Sequence, residues 1–386
     1  MARLEQTWSA TEFDAIGIRA PDCKFIIRGT DGNQVTLNSN AEQNFSHKLR
    51  IEPTGRWLRI YASGNNTEFT LQLPNSKIWN IDLFSGRAQF KAENIQSRLH
   101  LWCGKGDIQI ENCRGAISIS SGNADVRVKH FTEMETPEIP PLELASRSFS
   151  WDDPAFWEDR GEEWAKLGGE LGEKITRGIL GQSTEHKKGI YIQVGKGDLL
   201  LEEIESALCT LRTAKGDVRL KQGRIRNLDM KLMSGDIECE SCLPVGDWHL
   251  RTNRGDIRLA LPADTTARLD LTTRHGYIQS KTPLVRVTRQ GPESWHGNRM
   301  VGSIGAKSEG KIPEIDASTL NGDIEIKTQS TSSQYYEKPA DETIIITPPV
   351  SSRTDLYHTE LEILTALSDG KIRVDEAERL LRGLKS

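Results

Sequence analysis

The sequence predicts an all-β fold, a parallel β-solenoid (β-helix) of roughly 20-residue rungs, carrying a helical insert and a C-terminal αα-hairpin. Three observations predict it. A Gly-Asp element recurs at a near-constant interval, the residues flanking it alternate apolar with charged, and the chain is leaner in apolar residues than an ordinary globular domain.

The composition sets the bounds. At 386 residues the chain is long for one compact core, whereas a solenoid relaxes that limit by adding surface and core together. Hydrophobic residues make up 36% and charged residues 27%, too apolar for wholesale disorder. A net charge of −5 and a pI near 6.0 argue against a nucleic-acid partner and against adhesion to anionic lipid, both of which need a basic field. The opening MARLEQTWSATEFDAIG lacks the basic and apolar regions of a signal peptide, and no apolar run approaches membrane-spanning length. The expectation is therefore a cytoplasmic protein without stable membrane insertion. Six cysteines in so long a chain do not make the dense framework of a small secreted domain and are expected as reduced thiols.

The repeat reads CGKGDIQI, VGKGDLLL, TAKGDVRL, MSGDIECE, TNRGDIRL and LNGDIEI, with turn pairs Gly106-Asp107, Gly197-Asp198, Gly216-Asp217, Gly235-Asp236, Gly255-Asp256 and Gly322-Asp323. Degenerate copies lie around Gly86, Gly122 and Gly276, where Tyr277 takes the Asp place. From Gly197 through Gly216, Gly235 and Gly255 to Gly276 the step stays within one position of about 20 residues, the mark of a repeat architecture. Each unit is strand, tight turn, strand: glycine supplies the positive φ, and Asp bonds backbone amides beyond the turn. Two strands alone cannot bury their apolar face, but stacking one unit on the next buries a continuous column. Ile108, Val126, Leu199, Val218, Ile237, Ile257 and Ile324 are the expected inward residues of that column. An antiparallel sandwich is the competing architecture, and the constancy of the interval favours the solenoid.

The domains follow from where the period holds. Residues 1–132 carry opening rungs and an irregular cap, and residues 133–188 break the pattern with a Pro-rich linker and an amphipathic helical insert. In that insert Trp157, Trp164, Leu167, Leu171, Ile175 and Ile179, spaced 7, 3, 4, 4 and 4, fall on one helix face behind an Asp152 or Asp153 cap. Folding back over a solenoid edge, contact with a second copy and attachment to a membrane surface are the three readings of this face. Nine acidic against six basic side chains in 151–188 weigh against the last. Residues 189–338 hold the main repeats. Within them VRVTRQGPESWHGNRMVGSIG interrupts the period and reads as a projecting loop, with Trp295, His296 and Arg299 as binding candidates. Residues 339–354 form a linker, and 355–386 two short helices about Gly370, the first lined by Leu356, Leu361, Leu364 and Leu367, the second by Val374, Ala377, Leu380, Leu381 and Leu384. So small a hairpin cannot support itself and is expected to meet a partner.

The run from LRTAKGDVRL through LALPADTTARLDLTTRHG to TLNGDIEI resembles the bacterial adhesin-like β-strand-repeat proteins of unknown function, most specifically over 190–328. The tail text GKIRVDEAERLL resembles the SHOCT-like helical hairpin attached to such proteins, with Arg373 in place of the usual Ser or Thr cap. The resemblance implies an architecture without established enzymatic activity and a link, in some members, to cell-envelope stress responses, with the envelope periphery as an alternative location.

Motifs with chemical content are few. GIYIQVGKG has five residues between its outer phosphate-loop glycines and Gly197 where Ser or Thr should hold magnesium, so the repeat explains it better. Cys239 and Cys242 form a CxxC without a second pair, which reads as structural, with Cys209 nearby leaving metal open. Asp198, Asp217, Asp236 and Asp256 stack along one edge as carboxylates do in polysaccharide-active β-helices, but an active site is a local exception whereas these recur in every rung. Arg219, Lys221, Arg224, Arg226 and Lys231 read as an outward basic patch or as ordinary solvated charge. No cofactor, metal or catalytic residue is assigned. The expectation is a non-enzymatic scaffold that binds a protein partner or its own copies, with Trp157, Trp164, Leu171, Leu361, Leu364 and Leu380 as contact residues. A carbohydrate-binding or carbohydrate-active β-helix and an end-to-end polymer are the rivals.

Overall fold

The computed structural model describes residues 4–40, 49–62, 67–134, 188–282, 284–290, 298–305 and 312–329. The expected helical insert and hairpin, with Trp157, Trp164, Leu171, Leu361, Leu364 and Leu380, lie outside the described residues, as do Trp295 and His296. All described strands belong to one compact unit and one continuous sheet.

The chain is all-β in the described residues, built as rungs that stack in parallel and bend at the Gly-Asp turn. The strand before the turn and the strand after it form two columns, here face A and face B. Across face A the inward residues in register run Leu58, Ile16, Ile81, Leu99, Ile117, Ile190, Cys209, Leu228, Trp248, Ile315 and Leu269. Across face B they run Phe69, Phe25, Phe90, Ile108, Val126, Leu199, Val218, Ile237, Ile257, Ile324 and Ile278. All but the last of these twenty-two are buried, including the seven expected inward residues, and a second inward column two positions further along each face, through Leu83, Leu101 and Ile119 on face A and Ile110, Val128 and Leu201 on face B, completes the core. Trp248 stays satisfied inside because its indole N–H donates to the Ile225 carbonyl at 3.1 Å.

A second corner closes each rung after face B. Asn94, Asn112, His130, Glu203, Gln222 and Ser241 hold φ between 50° and 54°, one in each of six successive rungs. The left-handed conformation there turns the chain so that Ile95, Cys113, Phe131, Ile204 and Cys242 point inward.

The rungs do not stack in chain order at either end. The Ala15–Thr30 strand lies between the 57–74 rung and Trp79–Glu93. At the other end Glu314–Asn321 and Ile324–Gln329 lie between the 248–262 rung and the 267–280 rung. Antiparallel strands cover three of the four outer edges. Gln34–Ser39 and Leu4–Ser9 follow Thr67–Pro74, Leu49–Thr54 covers Trp57–Ala62, and Asn298–Ile304 with Val285–Gln290 covers Ala267–His275. This corrects the expected projecting loop: its described parts are edge strands, and Arg299 is an ion-pair partner of Asp270, with contacts of 2.9 and 2.6 Å. Such coverage is how sheets blunt edges that would otherwise recruit other chains.

Candidate functional site

The Gly-Asp corner is the most regular feature of the molecule. Each turn glycine sits so close to the rung below that a Cβ on Gly216 would lie 2.0 Å from the Gly197 carbonyl oxygen, and φ is +142°. Only glycine fits there. The following aspartate reaches along the stack: the Asp198 N–H donates to Asp125 Oδ1 at 2.9 Å, Asp217 to Asp198 at 2.8 Å, Asp236 to Asp217 at 2.9 Å, Asp256 to Asp236 at 2.9 Å and Asp323 to Asp256 at 2.9 Å. The ladder ends where Tyr277 donates to Asp323 Oδ1 at 2.8 Å. Gly106 and Asp107 lie at the same corner one rung before Asp125. The row of carboxylates thus has a backbone partner at each of these steps. Asp236 and Asp256 are further engaged by Arg258, at 3.3 and 2.9 Å.

The other sequence candidates are dispersed by the geometry. Arg219 and Lys221 face Glu238 and Glu240 across the rung boundary, at 3.5 and 4.0 Å, and Lys231 contacts Asp229 at 3.1 Å, so three of the five basic residues are neutralised locally. The segment resembling a phosphate loop by its glycines is the strand Ile190–Lys196. Cys209, Cys239 and Cys242 are buried, and burial raises all three thiols, Cys242 to about 12. Cys242 also donates to the Glu240 carbonyl at 3.3 Å. Protonated buried thiols are poor nucleophiles and poor metal ligands. Among the described residues no three His, Cys, Asp or Glu side chains converge as a metal would need.

A different cluster stands on the outer side of face A. Phe84 and Trp102, directly opposite each other in adjacent rungs, stack with centroids 4.3 Å apart and planes 3° apart. The Arg19 guanidinium covers the other side of Phe84 at 5.2 Å. Two positions before them in the same strands, Asp82 and His100 face each other at 3.9 Å with about half of each side chain exposed. Desolvation pushes the Asp82 carboxyl up and the His100 imidazole down, against their mutual attraction. Desolvation likewise lowers Arg19. The result is a half-buried surface of two rings, a guanidinium and an Asp–His pair, chemically unlike the ion-paired outer side of face B. Sequence reasoning missed it, although Phe84 and Trp102 are separated by the step between adjacent early rungs.

The described residues form stacked β-strand rungs, and comparison with known proteins places the chain in a family. The chain belongs to the Toastrack DUF4097 family, which it matches over residues 19–327. Among solved structures it is similar to a candidate adhesin from Bacteroides fragilis, at 11% identity over 85% of this chain and 97% of that one, with a TM-score of 0.37. It is also similar to a candidate lipid-binding protein from Parabacteroides distasonis, at 8% identity over 83% and 96% of the two chains, with a TM-score of 0.35. These likenesses are too distant to bear on function. No curated protein matches the sequence.

Proposed function

We propose that the chain is a non-enzymatic β-solenoid scaffold that engages a protein partner or its own copies, at the cytoplasmic side or periphery of a bacterial envelope. The carrying observation is the contrast between its two regular surface features. The aspartate row, which would be the natural place for carbohydrate chemistry, has one oxygen of each carboxylate, Oδ1, committed to a backbone amide at five successive aspartate-to-aspartate steps. The outer cluster on face A offers aromatic area and a guanidinium instead, the residue types that dominate protein interfaces. Phe84 lies between Arg19 and Trp102, which leaves it no open face on which a sugar ring could stack. A protein surface meeting ring edges and polar tips is the better fit. The stress-response setting rests on the family resemblance of the repeats and tail.

Light scattering coupled to size exclusion tests this on the intact chain, on a chain ending at Lys338 and on Trp102→Asp. The reading expects an oligomer that either change reduces. If all three are monomeric, self-association is wrong. The hetero-partner half then fails in turn if Trp102→Asp leaves the in-cell cross-linking pattern of the protein unchanged.

A further inference from the structure

The outer side of face B is ion-paired in its middle rungs, where Arg28 meets Glu93 at 2.9 Å, Lys129 meets Glu202, and Arg219 meets Glu238 at 3.5 Å. At the first edge strands the chemistry changes. Thr36 stands directly opposite Gln72 in register, and Ser9 of the outermost strand stands opposite Gln34. With Thr30 and Asn33, from the turn that links Ala15–Thr30 to Gln34–Ser39, they line an open cleft of about 550 Å³. That size falls within the range of roughly 300–1,000 Å³ typical of small-molecule sites. Apart from Gly32, every lining residue carries a hydroxyl or a carboxamide, and none is charged or aromatic.

Most of these polar groups are available to a ligand. Among the described residues, no hydrogen bond within the protein engages the side chains of Asn33, Gln34, Thr36 and Gln72. The adjacent charges are committed: Arg28, in register with Gln72, is held by Glu93 at 2.9 Å, and Glu12 accepts the Ser9 N–H at 3.1 Å. An ionic ligand thus finds no counter-charge in the lining, and an apolar one would desolvate three carboxamides without replacing their hydrogen bonds. A ring of hydroxyls replaces them, because a hydroxyl both donates and accepts and so meets either end of a carboxamide. A peptide strand is the poorer occupant: Gln34–Ser39 is already paired on both sides, so it offers no free edge for a further strand. We propose that this cleft is a binding site for a neutral saccharide, a mono- or disaccharide held by Asn33, Gln34, Thr36 and Gln72. The site shares no residue with the Arg19, Phe84 and Trp102 cluster and does not depend on the protein-binding reading.

Saturation-transfer NMR on the full chain tests it, with lactose, maltose and N,N′-diacetylchitobiose as neutral probes at millimolar concentration. Glucuronate serves as the charged comparison and N-acetyl-Gly-Ser-Gly-amide as the neutral peptide. At least one of the three disaccharides should receive saturation, and glucuronate and the peptide none. Gln34→Ala and Gln72→Ala should keep the parent's melting temperature yet each weaken that sugar about tenfold, the loss of one hydrogen bond to a ligand. Gln109→Ala, which removes an exposed carboxamide elsewhere on the outer side of face B, should leave its affinity unchanged. Silence from all three sugars, a signal that survives both cleft substitutions, or binding of glucuronate or the peptide in their place would overturn the assignment. Each of those results leaves the light scattering of Trp102→Asp to decide the protein-binding reading by itself, so the two fail separately.

Discussion

Removing one carboxylate from the ladder, by Asp217→Ala, tests whether the row is structural. Asp217 sits in mid-stack: its Oδ1 accepts the Asp236 N–H at 2.9 Å, and its own N–H donates to Asp198 Oδ1 at 2.8 Å. The alanine keeps the second bond and abolishes the first, leaving the partly buried Asp236 amide without its acceptor. A hydrogen bond to a charged group contributes about 1.5–3 kcal/mol, and partial exposure at this corner lets water recover some of that. The expected loss is about 1–2 kcal/mol. Asp217→Asn retains an acceptor oxygen and should lose less than half as much. Urea denaturation reads the global effect, and hydrogen exchange at the Asp236 amide reads the local one, where about 1.4 kcal/mol is a tenfold faster rate. If Asp217→Ala changes neither by more than experimental error, the ladder bond carries no stability and the aspartate row must be explained by what it does for a ligand.

Three further outcomes follow from the same geometry. Gly216→Ala should cost more than about 3 kcal/mol or prevent folding, because its Cβ would meet the Gly197 carbonyl at 2.0 Å, whereas Gly55→Ala, with φ +57° and nothing within 4 Å, should cost about 1 kcal/mol; circular dichroism melts separate the two. Ile237→Ala removes a fully buried side chain from the middle of face B and should cost about 2–5 kcal/mol in the same denaturation assay. The buried thiols predict a weakness to alkali. Burial raises Cys23 and Cys113 to about 11 and Cys242 to about 12, so the unfolded chain loses these protons first, from roughly pH 8.5. Stability should be intact below that pH and fall above it by about 1.4 kcal/mol per pH unit per thiol until the folded value is reached. Cys242→Ala should flatten the slope of stability against pH between about 9 and 10.5, and an unchanged slope would refute the assignment.

The parts of the fold that could be read from the chain are those fixed by side-chain type at a fixed interval. Gly-Asp pairs at the near-constant step locate one corner, and the aliphatic residue after each pair locates the face B column. The second corner was not legible, because Asn94, Asn112, His130, Glu203, Gln222 and Ser241 share a backbone conformation and no side-chain chemistry. The order of the terminal rungs was not legible either. A period tells which surfaces are alike, and when all rung surfaces are alike it cannot say which two are neighbours. The outer cluster on face A was hidden for a related reason: Arg19, Asp82, Phe84, His100 and Trp102 lie in three rungs and meet only once register is known.

The ladder also has a direction, and that bears on how the stack ends. Each aspartate from Asp125 to Asp256 accepts from the amide of the next rung in space, so the last rung needs a donor but no acceptor. Tyr277 meets that requirement: its N–H satisfies Asp323, and its 78% exposed side chain offers no carboxylate to a further rung. An additional rung stacked there would begin with an amide lacking its partner. On face A the same end is covered by the antiparallel strands Asn298–Ile304 and Val285–Gln290. Growth past the end is therefore opposed on both faces by different means, and this weighs against end-to-end polymerisation.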